Sequence, residues 1–139
     1  MIIAGEIPGR FAYADDVCVA FATIEPICEG HLLVVPREEV AKYTDLNPDT
    51  WAHLARVAQT IGQAAEYAYE GARSMILVAG LEVPHVHIHV VPARKEGDLS
   101  FANARPASGE ELDAAVTRMR QALVALGHGE NVPAEMGSL

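Results

Sequence analysis

At 139 residues, half of them apolar, the chain is long enough to bury one core without disulfide or metal staples and short enough to be a single domain. Its apolar runs, such as Val17 to Ala22 and His31 to Val35, fall far short of the roughly 20 residues a membrane-crossing helix needs. A net charge of −9 argues against a nucleic-acid polymer as partner, because such binding relies on Lys and Arg at the phosphates, yet it leaves room for a small phosphorylated ligand in a local pocket.

No charged segment followed by an apolar stretch opens the chain, so the cytoplasm is the expected location. Cys18 and Cys28 are accordingly expected as reduced thiols in or beside strands. Gly5 to Gly9 is turn-like, and Phe11 to Tyr13 then alternates as a short strand before a turn at Asp15-Asp16. Val17 to Ala22 reads as a second strand, and His31 to Val35, between Gly30 and Pro36, as a third. Asn47-Pro48 is a helix start, since Asn caps free backbone N–H groups and Pro suits the first helical position. Trp51, Leu54, Ala58, Ile61, Ala65 and Ala68 then recur at spacings of three and four, giving one apolar stripe on a helix that ends near Gly71.

Ser74 to Ala79 and Val83 to Val91 are two further strand segments. A second helix begins at Ser108, where Glu111 completes a capping box, with Leu112, Val116, Met119, Leu123 and Leu126 as its stripe. These elements predict an α+β domain over residues 1–127, a mostly antiparallel five-stranded sheet with two main helices, followed by a polar, poorly ordered tail over 128–139. Sheet edges of this size need covering or pairing, so a homodimer that continues the sheet is expected.

His85-Val86-His87-Ile88-His89-Val90 has period two, which in a strand puts three imidazoles on one face and three apolar residues on the other. The apolar face predicts core and the histidine face a site. Three chemistries fit such a face: a polar surface with satisfied histidines, a zinc site of three His plus water, or anion chemistry. In the last, one neutral imidazole attacks an electrophile while neighbours donate to the developing charge. The cluster alone does not choose among them. Arg94 and Lys95 follow the motif directly, and a phosphate site in an acidic protein gains from nearby positive charge.

The pattern over residues 85–91 resembles the signature of the histidine triad family, and the similarity extends to Gly5-Glu6-Ile7-Pro8, Asp15-Asp16, Val19-Ala20-Phe21 and Gly30 to Arg37. The resemblance implies a homodimer with a continuous sheet and chemistry at the α-phosphorus of a nucleotide, without a metal or other cofactor. It implies His87 as the nucleophile, His89 as hydrogen-bond donor to the phosphate oxygens, and His85 orienting the site together with His31. Phe21 and Ile24 would wall the base pocket, Thr23 stands where an acidic residue meets the ribose, and Glu82 replaces a small hydroxyl residue near the leaving group. The loop Ala79 to Pro84 is shorter than in relatives and lacks their Asn, Gln and Ser or Thr. By strand parity Glu82 should point away from the histidine face.

The expected function is therefore a nucleotide phosphoramidase, or a nucleotidyl hydrolase or transferase, working on a purine nucleotide through a nucleotidyl-histidine intermediate. The alternatives are a nucleotide-binding regulatory protein of the same fold with little turnover and, third, a metal hydrolase using His85, His87 and His89 as ligands.

Overall fold

A computed structural model describes residues 9–79 and 83–137. Five strands, β1 (Phe11–Ala14), β2 (Cys18–Ala22), β3 (Leu32–Pro36), β4 (Arg73–Val78) and β5 (Ile88–Ala93), form one antiparallel sheet in the order β1-β2-β3-β5-β4. Helix α1 (Pro48–Ala68) intervenes between β3 and β4, and α2 (Gly109–Ala125) follows β5. The five-stranded α+β architecture expected from the sequence is the one observed. Among the described residues no helix is long and apolar enough to cross a membrane.

Period-two alternation assigns each strand's residues to a face. Cys18, Ala20, Leu32, Val34, Ile88 and Val90 turn to one side and form the main core with Leu54, Ala58 and Ile61 of α1 and Val116, Met119 and Leu123 of α2. Both helices thus cover the same face of the sheet. A bulge between Phe11 and Tyr13 sends both Ala12 and Tyr13 to that side. The other face carries Phe21, Leu33 and His89, which lie in one cross-strand row.

The helix ends follow the expected chemistry. Asn47 accepts the Asp49 backbone N–H at 2.8 Å, and Pro48 takes the first helical position. Ser108 and Glu111 form the reciprocal capping box that starts α2. Leu126, expected on the apolar stripe of α2, is the C-cap and is exposed instead.

Two expectations need correction. The strand carrying the histidines begins at Ile88 rather than Val83, because its partners stop there: the register ends at Val34↔Ile88 on one side and Val78↔Ile88 on the other. Val86 N–H instead donates to Val40 O at 2.8 Å, which keeps the segment extended and Val86 in the core. The segment after Gly127 is not a loose tail over its described part. A 3₁₀ turn spans Gly129–Asn131, Val132 and Met136 pack on the main core, and Met136 O accepts the Phe11 N–H at 2.8 Å. Arg120 clamps the segment by donating to Phe11 O at 2.7 Å and to Pro133 O. The C-terminal segment therefore covers part of the β1 edge, while β4, with Ile76 exposed, lies at the opposite edge of the sheet.

Candidate active site

His31 precedes β3, His85 and His87 precede β5 and His89 lies on it, and their hydrogen bonds determine which nitrogen carries each proton. His87 Nδ1 lies 2.8 Å from His85 O. A carbonyl only accepts, so Nδ1 bears a proton and, in the neutral ring, Nε2 keeps its lone pair. That Nε2 has no hydrogen-bond partner among the described residues.

A second chain of bonds sets His89. The Ile27 N–H donates to His31 Nδ1 at 3.0 Å, so in the neutral ring His31 Nε2 carries the proton. It faces His89 Nδ1 at 3.0 Å, which must accept, leaving Nε2–H as the donor of His89. Both rings are almost wholly buried, and their neutrality agrees with their titration. Desolvation, reinforced by His89 and His87, lowers the pKa of His31 to about 3. Desolvation and then His87 lower that of His89 to about 4. The site therefore offers a lone pair on His87 and, one ring away at a centroid distance of 4.8 Å, an uncharged N–H donor on His89.

His85 acts elsewhere. Its Nε2–H donates to Pro36 O at 2.8 Å and its own carbonyl holds His87, while His31 touches His89. These two histidines were expected to work together, but they orient different rings. The same bonds bear on a three-histidine metal site. His85 Nε2, His87 Nδ1 and His89 Nδ1 are each engaged within the protein, and the triad does not form a ligand cluster among the described residues.

The remaining residues of interest divide. Phe21 shares the His89 row but is buried against Phe11, at a ring distance of 5.8 Å, with Val19 and Val35. Ile24 is 71% exposed on the loop between β2 and β3, and Thr23 Oγ1 accepts the Glu25 N–H at 3.3 Å. Arg94 is not brought to the histidines. It follows the end of β5, five residues beyond His89 and roughly 16 Å away at strand rise, and its guanidinium donates to Glu70 O at 2.7 Å. Glu82, and with it the parity argument, falls outside the described residues, as does Gly5 to Pro8.

Two features escaped the sequence reading. Phe101, on a 3₁₀ turn Phe101–Asn103, packs its ring T-shaped on His89 at 5.1 Å. His53 donates to the Asp15 carboxylate at 2.7 Å. Asp15 also accepts from Tyr13 OH, Val17 N and Cys18 N at 2.7 to 2.9 Å. Burial opposes its ionisation, but the bonds from Cys18, His53 and Val17 outweigh it and hold its pKa below the usual value.

The model of the HIT domain matches residues 4–96. The chain belongs to the HIT domain family. A HIT-like protein of Methanocaldococcus jannaschii, itself uncharacterised, is 33% identical over 116 residues, covering 81% of this chain and 89% of that protein. A bifunctional bis(5′-adenosyl)-triphosphatase/adenylylsulfatase of Arabidopsis thaliana is 38% identical over 97 residues, 66% of this chain and 53% of that enzyme. Among solved structures, a zinc-bound histidine triad protein of Mycobacterium smegmatis superposes with a TM-score of 0.79 at 30% identity, covering 92% of this chain and 93% of that one. In the HIT domain described here, the side chains of Asp15, Cys18 and His53 offer ligand atoms within 4.8 Å of one another. That carboxylate is already occupied by the four hydrogen-bond donors named above.

Proposed function

We propose that this HIT protein is a nucleotide hydrolase or nucleotidyl transferase that acts at the α-phosphorus of a purine nucleotide conjugate, such as a nucleoside 5′-phosphoramidate, with His87 as nucleophile. The observation that carries the reading is the pairing of a His87 lone pair with a neutral His89 donor. The Arabidopsis relative's action on adenosyl phosphoanhydrides supports the substrate class.

The steps follow from the tautomers. His87 Nε2 donates its lone pair to phosphorus, and the bond to the leaving group breaks with its electron pair, the leaving group taking a proton from solvent. His87 then carries positive charge, which the His85 carbonyl stabilises through the Nδ1–H bond. The His89 N–H donates to a phosphoryl oxygen as charge builds there. Water attacks the nucleotidyl-histidine, loses a proton to solvent, and restores the Nε2 lone pair. His85 positions His87, and His31 positions His89.

The dimer expected from the sheet edges has its best support at β4, since the C-terminal segment covers part of the β1 edge; sedimentation that returns a fully active monomer would remove it. Cytoplasmic location remains part of the same reading. The rival, nucleotide binding with little turnover, rests on the shortened loop at 79–84. A panel of adenylyl and guanylyl phosphoramidates and dinucleoside polyphosphates, assayed with wild type and His87→Ala, decides between them. Turnover in wild type and none in the folded variant is expected. Binding without turnover in wild type would favour the rival, and turnover in His87→Ala would refute the nucleophile.

A further inference from the structure

Phe101 is a large apolar side chain held half in solvent, 50% exposed, by a loop built to keep it there. Asp98 accepts the backbone N–H groups of Arg94 and Lys95 at 2.9 and 3.1 Å. Asn103 donates to Gly97 O and Asp98 O at 2.9 and 3.1 Å, and Ser100 caps the turn through the Ala102 N–H. Backbone bonds from Arg105 to Pro26 O at 3.3 Å and from Ala107 to Ile24 O at 3.2 Å tie this loop to the one between β2 and β3. Phe101 and the exposed Ile24 therefore belong to one cross-linked rim.

The Phe101 and His89 rings meet at 68°. In a T-shaped contact either the edge of Phe101 meets the face of His89, or the reverse, and in both cases at least one face of the phenyl ring stays free of His89. A hydrogen-bonded loop that holds a half-exposed phenyl ring beside a hydrogen-bond donor suits a ligand with an anionic and a flat aromatic part.

Building on the nucleotide reading, we infer that Phe101 is a substrate-binding residue whose free face stacks on the heteroaromatic base while His89 holds the phosphate. Base stacking on an aromatic side chain is typically worth about 1 to 3 kcal/mol by alanine substitution, or roughly 5- to 150-fold in affinity. The test is the Kd of adenosine 5′-monophosphate and of ribose 5-phosphate, which lacks the base, measured by NMR titration for wild type, Phe101→Ala and Phe101→Trp. The adenylate should weaken by roughly 5- to 150-fold in Phe101→Ala and keep its affinity in Phe101→Trp, with ribose 5-phosphate unchanged in both. Unchanged adenylate affinity in Phe101→Ala would overturn the inference alone. Parallel loss of both ligands would also overturn it, by showing that Phe101 acts only through His89. Failure of wild type to bind adenylate would overturn the nucleotide reading and this inference with it.

Discussion

Replacing His31 with alanine removes the ring between the Ile27 N–H and His89 Nδ1, both 3.0 Å from it. Nothing then compels His89 to keep its proton on Nε2, so the donor that meets the phosphoryl oxygen is lost in part of the population. Loss of such a preorganised donor from every molecule costs about 10² to 10³ in turnover, so a partial loss costs less, and the effect should fall on kcat more than KM because the bond strengthens as charge develops. The orphaned Ile27 N–H and the vacated volume also destabilise the fold, the N–H by about 1 to 3 kcal/mol. His31→Gln separates the two effects. Its terminal amide reaches the former Nε2 position and donates to His89, but leaves Ile27 unpaired. Glutamine should recover much of the lost kcat with little recovery of stability, as read by single-turnover hydrolysis beside urea denaturation. Turnover of folded His31→Ala equal to that of wild type would refute the relay. So would a glutamine variant no better than alanine.

His89 and His31 titrate near 4 and 3 when folded, below the unfolded value of about 6.5. The unfolded chain therefore binds more protons in this window, and their stabilising contribution, full above pH 6.5, is lost as pH falls towards 4 and then 3. For His89 this is on the order of 3 kcal/mol; urea midpoints at pH 7 and pH 4.5 should show a drop that His89→Asn reduces, and equal pH sensitivity in the variant would contradict it. Gly30 has φ +89°, and a Cβ there would sit 2.5 Å from Tyr69 Cε2 and 3.1 Å from Pro92 Cγ. Gly30→Ala should cost about 2 kcal/mol or more and lower turnover by displacing the adjoining His31; a thermal melt and kcat check both. Arg120→Met gives up charged donors to Phe11 O and Pro133 O. It should destabilise by about 3 kcal/mol and open residues 128–137 to limited proteolysis, while an unchanged urea midpoint would show that the clamp contributes nothing.

What could be read from the sequence was what repeats locally. Alternation placed Val86, Ile88 and Val90 in the core opposite the histidines, and the caps at Asn47 and Ser108 fixed both helix starts. What depended on distant partners could not be read. The strand reaches back only to Ile88 because β3 and β4 end their pairing there. His53 looks like a polar-face residue until Asp15, 38 positions away, is beside it. The tautomer that makes His89 the donor depends on Ile27 and His31, which no period within the motif specifies. Phe101 is a lone aromatic in a polar loop, and only the Asp98 and Asn103 bonds bring it to His89. The segment after Gly127 is polar by composition and is held by an arginine on α2 that its own sequence does not announce.

The central claim is a two-step displacement through His87, and the stereochemistry at phosphorus tests it most directly. A substrate with a chiral α-phosphorothioate, hydrolysed in isotopically labelled water, passes through two in-line displacements if a nucleotidyl-histidine forms, so the product should show overall retention of configuration. Inversion would mean that water attacks phosphorus directly, and would contradict His87 as the nucleophile.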